Sequence, residues 1–315
     1  SGATESNNLA ILGMAPKLLE KGKTHVLSSP LEHKAVLEPL EQLEARGFQV
    51  EMLPVDERGW VDPQLLAERL RPETGLVSLM HVNNEVGVVQ PIGKYAGILE
   101  AHEAFFHVDA AQGFGKSFDP LKAHRIDLVS VSGHKIFAPK GVGALIARRR
   151  GNSRPPITPL IFGGGQERSI RPGTLPVPLV AGLGLAAELA ANSHAAREAS
   201  NHSQLGSLID ALGSVGGLVN GDRGRLLGNA VNISVPGLDS EAIMLAMKGA
   251  FAISNGSACT SHSYAPSHVL SAMALGEERI EGAIRVSWSH LTPAVNWQDF
   301  FARIEQLLPR SHATT

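Results

Sequence analysis

The chain contains the stretch AFFHVDAAQ at residues 104–112, a short apolar run that ends at Asp109. Similar short runs lie at 75–82, 128–131 and 143–147, and stretches with helical spacing separate them. Apolar runs of this length that alternate with helices are typical of buried strands in a mainly parallel sheet. The pattern therefore predicts the α/β fold class.

Capping residues predict helices around these strands. Ser29, Pro30 and Glu32 predict a helix start with a capping box, and Gly47 predicts the end of that helix. Asp62 predicts the cap of a second, shorter helix.

The second half of the chain follows its own pattern. After Pro176 and Pro178, an Ala-rich helix is predicted to run to about Asn201. The elements expected next are strand 230–235, helix 241–248, strand 251–254 and strand 284–288. We therefore expect two domains, a large one at 1–195 and a smaller α+β domain at 196–315.

Composition and charge exclude several classes of protein. The 315 residues are 43% hydrophobic and 18% charged, as in an ordinary globular protein. The formal net charge of −2 predicts no direct binding of nucleic acid. The longest apolar stretch, 179–191, contains Glu188 and is shorter than the roughly 20 residues of a membrane span. No secretory signal opens the chain, so we expect a cytoplasmic protein without membrane contact.

Two motifs that resemble ligand sites are rejected. His102 and His107 are one residue too far apart for the HExxH zinc motif, and His107 is expected on a strand. Gly182 and Gly184 match a dinucleotide-binding pattern, but they follow a proline-rich link, so helix packing explains them better. The single cysteine excludes an internal disulfide, and we expect no metal site.

Four segments carry groups suited to chemistry. Asp109 ends a strand, where parallel sheets contact ligands, although Asp also caps helices. Lys135 follows another strand in a small polar turn and could form a Schiff base, whereas Lys140 is better explained as a solvated turn residue. The glycine-dense loop 162–174 could bind phosphate, line an interface or be a long turn. Cys259 has polar neighbours, which suits either a reactive thiol or a non-functional surface thiol.

Together these segments resemble the cysteine desulfurases of the class V aminotransferase family, which have the fold-type-I pyridoxal-phosphate architecture. The similarity runs through essentially the whole chain in the same order. The matching motifs are SGATESNN (1–8), EHK (32–34), MHVNNE (80–85), HVDA (107–110), SGHK (132–135) and GSACTS (256–261). The long form of the cysteine loop is similar to the group that serves iron–sulfur assembly and thiolation pathways.

The resemblance implies pyridoxal 5'-phosphate as cofactor and L-cysteine as substrate. Lys135 would hold the cofactor as a Schiff base, and Asp109 would keep the pyridine nitrogen protonated, which makes the ring an electron sink. Gln112 would hydrogen-bond the ring oxygen, and His33 would stack on the ring face.

The phosphate ligands implied by the resemblance are Thr4, Ser132 and His134. Thr4 falls at an expected helix start, which favours anions. Thr174 would reach the phosphate of the partner subunit's cofactor, which implies a homodimer.

The remaining implied roles concern the substrate. Arg285, assisted by Asn84, would bind the carboxylate of cysteine. Cys259 would attack the substrate sulfur, carry it as a persulfide while alanine leaves, and pass it to an acceptor protein.

The sequence departs from the family pattern at several places, among them Asn255, Pro172 and His290. These departures leave the acceptor open among iron–sulfur assembly, tRNA thiolation and DNA phosphorothioation. The family also carries residues upstream of Ser1, so we expect that the N-terminal part of the large domain is missing.

Two alternatives remain. The chain could be a selenocysteine lyase or another fold-type-I pyridoxal-phosphate enzyme. It could also be a catalytically inactive scaffold of the same fold, but the intact Lys135, Asp109, His33 and Cys259 argue against this.

Overall fold

The structure is a computed structural model that describes residues 1–255 and 266–308. Its α-helices are α1 (Ala3–Leu12), α2 (Ala15–Glu20), α3 (Lys34–Glu44), α4 (Pro63–Arg69), α5 (Ile92–Ile98), α6 (Val177–Asn192), α7 (His194–Leu212), α8 (Ser240–Met247), α9 (His268–Ala272), α10 (Glu277–Glu281) and α11 (Trp297–Glu305). Its strands are β1 (His25–Ser28), β2 (Gln49–Met52), β3 (Thr74–Met80), β4 (Phe105–Asp109), β5 (Leu128–Ser132), β6 (Gly143–Ala147), β7 (Leu218–Val219), β8 (Ala230–Ser234), β9 (Ser254–Asn255) and β10 (Ala283–Ser287).

Two compact units divide the chain. The first consists of Ser1–Val55, Trp60–Asn83 and Val89–His194, and the second of Asp56–Gly59, Asn84–Val88 and Ala195–Thr315. The second unit thus includes two short segments from within residues 1–195.

The first unit is built on a six-stranded sheet with the order β2-β1-β3-β4-β5-β6. Its strands are parallel except β6, which runs antiparallel to β5. β1, β3 and β5 are buried along their whole length. Leu76 of β3 packs in a cluster with residues of α1 and α3, whereas Val77 packs in a cluster with α4 and α5. Because successive side chains point to opposite faces and both faces are covered, each buried strand is mostly apolar along its length. The prediction of a mainly parallel α/β sheet is confirmed.

The predicted capping box at the start of α3 is wrong. The helix begins at Lys34, and its cap is His33, whose Nδ1 accepts the N–H of Ala35 at 3.0 Å. Glu32 precedes the helix, and its buried carboxyl group accepts the backbone N–H of Met80 at 2.7 Å. The cap of α4 by Asp62 is confirmed.

The predicted long helix after Pro178 is two helices, α6 and α7, separated at Ser193. The Ser193 hydroxyl donates to the carbonyl of Leu189, which competes with the helical backbone pattern. His194 then bonds the carbonyl of Lys116 through Nε2 at 2.9 Å and lies 4.9 Å from the ring of Phe118. These contacts hold His194, the last residue of the first unit, at the point where the helix is interrupted.

The second unit contains an antiparallel sheet with the order β7-β8-β10-β9. The rings of Trp288, Trp297 and Phe300 form edge contacts that pack α11 in this unit. The predicted strands 230–235 and 284–288 are confirmed as β8 and β10, but the strand expected at 251–254 begins only at Ser254, in β9. Within residues 1–255 and 266–308, no helix has the length and apolar character needed to cross a bilayer.

Candidate active site

Asp109 lies at the carboxyl end of β4, the end at which parallel α/β sheets bind ligands. Its side chain is buried, and its two oxygens accept separate hydrogen bonds: Oδ1 from the N–H of Ala111 at 2.8 Å and Oδ2 from Nδ2 of Asn7 at 2.7 Å. Burial raises the pKa of Asp109, while these two bonds and the charges of His33 and Lys135 oppose the rise. The carboxylate is thus fixed in direction, and cationic groups favour its charged form.

Asn7 is a site residue that the sequence did not single out. It is fully buried on α1 and makes its bond to Asp109 across a sequence separation of 102 residues. Asn7 stands between the polar residues Ser6 and Asn8, so its sequence context gives no sign of burial, and its partner depends on tertiary structure alone.

Lys135 follows β5 in a short 3₁₀ turn, Gly133–Ile136. The turn ends at Phe137, which has a left-handed backbone with φ 70°. Ser132, the last residue of β5, lies with its hydroxyl 3.1 Å from Nδ1 of His134. β4 and β5 are parallel neighbours, so Asp109, Ser132 and the turn with Lys135 share one edge of the sheet.

The start of α1 lies against this edge. Gly143 of β6 pairs with Ser132, and a Cβ at Gly143 would lie 2.7 Å from the Cα of Gly2, so only glycine permits this approach. Gly2 caps α1 without a side-chain hydrogen bond, and Thr4 is exposed in the first turn. The free N–H groups of the helix start and nearby hydroxyls therefore form a cradle for an anion.

His33 is half-buried at the start of α3. Because Nδ1 accepts a backbone hydrogen bond, the proton of the neutral ring lies on Nε2. The bond fixes the ring plane, as a group that stacks on a cofactor requires.

Gln112 lies in the turn 111–116, immediately after β4. Its Oε1 lies 3.5 Å from Nζ of Lys116, a second residue that the sequence did not single out. Gly113, in the same turn, faces the ring of His81, and a Cβ at Gly113 would lie 1.9 Å from His81 Nδ1. His81 is fully buried, and neither ring nitrogen has a hydrogen-bond partner among the residues that the structure describes.

Thr174 is exposed in the loop before α6. Arg171 of the same loop forms an ion pair with Glu5 of α1, with Nε 2.7 Å from Oε1, and this pair lowers the pKa of Glu5 to about 2. The structure thus ties the loop to the helix that begins the anion cradle.

Asn84 and Arg285 lie in the second unit and contact each other. Nη1 of Arg285 donates to the carbonyl of Asn84 at 3.1 Å, while its buried Nε lacks a hydrogen-bond partner in the described part of the chain. An unpaired guanidinium N–H suits a carboxylate ligand. Cys259 lies outside the described residues.

The first-unit groups fit pyridoxal 5'-phosphate. The uncapped start of α1 beside Ser132 and His134 suits a phosphate, and the buried Asp109 carboxylate suits a protonated ring nitrogen. Lys135 supplies an amine at the same edge of the sheet. Among residues 1–255 and 266–308, no cluster of three His, Cys, Asp or Glu side chains could hold a metal ion.

Comparisons with known proteins agree with this chemistry. Residues 1–296 match the family model described as aminotransferase class-V. The chain is 44% identical over 297 residues to the cysteine desulfurase IscS of Rickettsia africae (strain ESF-5), which covers 93% of this chain and 71% of that protein. The crystal structure of DndA from Streptomyces lividans is 46% identical with a TM-score of 0.83, covering 92% of this chain and 81% of that one. The structure of SspA in complex with cysteine is 39% identical with a TM-score of 0.77, covering 91% and 79%.

Proposed function

Because the chain belongs to the class V aminotransferase family and is a cysteine desulfurase that uses pyridoxal 5'-phosphate, we propose that Lys135 and Asp109 operate the cofactor and that Cys259 takes the sulfur. The observation that carries this proposal is the buried Asp109 carboxylate, held by Asn7 and Ala111 at the sheet edge that also bears Lys135. Burial disfavours the charged form of a carboxylate, so a buried carboxylate needs a cationic partner. A protonated ring nitrogen provides one.

When bound, the cofactor supplies an electron sink for the carbanion formed at the α-carbon of the substrate. Asp109 holds the proton on the ring nitrogen. Ser132, His134 and Thr4 would bind the phosphate of the cofactor, and His33 and Gln112 would orient its ring. Lys135 would hold the cofactor through its amine, and the same amine would serve as the base that takes the α-proton of cysteine.

Arg285 and Asn84 bind the carboxylate of L-cysteine. Cys259, as a thiolate, attacks the substrate sulfur. An S–S bond forms as the Cβ–S bond breaks, and the electron pair of the broken bond, with a proton, remains in the alanine that leaves. SspA, a relative 39% identical to this chain, has been solved in complex with cysteine, which supports the same substrate here.

The persulfide sulfur then passes to an acceptor protein. We propose that the acceptor belongs to iron–sulfur assembly or to a thiolation pathway of tRNA or DNA, and that handover in the cytoplasm needs no direct contact with nucleic acid. The net charge of −2 supports handover to a protein.

The working unit is proposed to be a homodimer in which Thr174 contacts the phosphate of the partner's cofactor. Exposed apolar side chains lie in the loop 162–174, here called the Thr174 loop, and continue along α6. Examples are Phe162 (80% exposed), Val177 (68%) and Leu185 (58%). Large apolar residues exposed together favour a protein interface.

The proposal is tested with two variants and an assay for alanine and sulfide. Lys135→Ala is expected to lose the yellow absorbance of the bound cofactor and all activity, because it removes the attachment point. Cys259→Ser is expected to keep the colour but to release no sulfide from cysteine. Sulfide formation by Cys259→Ser would remove this thiol from the mechanism, and a faster reaction with selenocysteine than with cysteine would favour a selenocysteine lyase.

A further inference from the structure

Lys116 occupies a position from which it can act on the cofactor site. It ends the turn 111–116, in which the N–H groups of Phe114 and Lys116 bond the carbonyls of Ala110 and Gly113. This helical turn places Lys116 four residues after Gln112 on the same face, and its Nζ lies 3.5 Å from Gln112 Oε1. His194 anchors the backbone of Lys116 through its carbonyl.

The amine of Lys116 belongs to a half-buried side chain and has no carboxylate partner among the described residues. Burial together with the charge of Lys135 lowers its pKa to about 8. Among the described residues, Lys135 and His134 interact electrostatically with this amine, and the pKa of His134 is itself lowered by burial and by lysines including Lys116, whereas His194 contacts the backbone carbonyl of Lys116. A cation held this way is costly, and such groups concentrate at functional sites.

We propose that Lys116 is a further positioning residue of the cofactor site, which fixes the amide of Gln112 and adds a positive charge beside Lys135. This inference rests on the proposed function. An amide whose Oε1 accepts from Lys116 must turn Nε2 the other way, where it can donate to the ring oxygen. The bound cofactor would supply the negative partner that Lys116 lacks among the described residues, because its ring oxygen carries negative charge.

The positive charge of Lys116 has a defined effect on Lys135. A nearby cation disfavours protonation of the nitrogen through which Lys135 binds the cofactor, and a donor to the ring oxygen acts in the same direction. Removing Lys116 should therefore raise the pH at which the visible absorbance band of the bound cofactor titrates.

The test is an absorbance titration of the purified holoenzyme between about pH 6 and pH 10, a range around the titrating lysines. Lys116→Met, which keeps length and removes charge, is expected to raise the midpoint by about one unit or more. Lys116→Arg keeps a positive charge at every pH of the titration and is expected to give a midpoint equal to or below that of the wild type, in the direction opposite to Lys116→Met. If Lys116→Met does not fold, Lys116→Gln replaces it in the titration, and the same rise in the midpoint is expected.

Lys140→Met is the matched control, because it removes an equal charge from the same neighbourhood at an exposed position. Solvent screening should limit its effect to a few tenths of a unit. A midpoint in Lys116→Met and Lys116→Gln equal to that of Lys140→Met would overturn the role of Lys116. Failure of the proposed function looks different, because the wild type would then show no band that depends on Lys135.

Discussion

At the residue scale, the site depends on polar side chains whose partners lie far away in sequence. Asp109 and Lys135 could be predicted, because each follows an apolar strand and carries a group with its own chemistry. Asn7 and Lys116 could not, because their roles depend on contacts to Asp109 and Gln112 that only the folded chain creates. The assignments that rest on family resemblance, including Cys259, stay predictions.

Replacing Asn7 by leucine should weaken the cofactor site with little change of side-chain volume. The hydrogen bond from Asn7 opposes the rise in the pKa of Asp109, so its loss should raise that pKa further and leave less carboxylate to pair with the ring nitrogen. We expect about a tenfold to hundredfold loss in the rate of alanine formation, the range set by one hydrogen bond to a charged group.

The control for this prediction is Asn8→Leu on the same helix. Asn8 is half-exposed, and its Nδ2 bonds only the carbonyl of Thr4 within that helix. Equal rates of alanine formation by the two variants, measured on folded protein with bound cofactor, would show that the hydrogen bond from Asn7 to Asp109 does not contribute to activity.

At the element scale, the strands were more predictable than the helix ends. A buried parallel strand is mostly apolar because both of its faces are covered, and β3, β4 and β5 lie where such runs occur. The predicted start of α3 is wrong because Glu32, whose spacing fits a capping box, instead accepts a hydrogen bond from the backbone N–H of Met80. The break at Ser193 was missed because His194 is held by a distant carbonyl.

The turn that carries Gln112 should depend on the packing of Gly113 against His81. Gly113→Ala would place a methyl group 1.9 Å from His81 Nδ1, and such overpacking costs about 1–3 kcal/mol. His81→Ala makes room for that methyl group, and it breaks no hydrogen bond of the ring to a described residue. The double variant should therefore be clearly less destabilised than the sum of the two single variants.

Denaturant unfolding of the four proteins measures this coupling as a double-mutant cycle. Strict additivity of the two free-energy changes would mean that the turn moves away from His81 and that the contact sets neither stability nor the position of Gln112.

At the scale of the whole molecule, the proposed dimer depends on the apolar side chains of α6 and the loop before it. Composition predicted this helix as a packed element, yet many of its apolar residues are exposed within this subunit. The homodimer, like the cytoplasmic location and the acceptor, remains a proposal, because one subunit supplies only one side of an interface.

Leu185→Glu should convert the dimer to monomer, because it places a charge in the centre of the proposed interface. Light scattering after gel filtration measures the mass directly. Leu245→Glu is the control. Leu245 is 72% exposed on α8, a helix of the second unit that the proposed interface does not include. A wild-type protein with the mass of one subunit, or a Leu185→Glu variant that keeps twice that mass, would contradict the interface.

The ion pair between Glu5 and Arg171 would matter most in such an assembly. The low pKa of Glu5 keeps the pair charged throughout the neutral range, so the Thr174 loop stays fastened to the helix that receives the subunit's own phosphate. In the proposed dimer that loop also reaches across to the second phosphate. Each subunit would then connect the two phosphate sites of the dimer. Binding of the cofactor at one site would favour its binding at the other, so that cofactor uptake is cooperative.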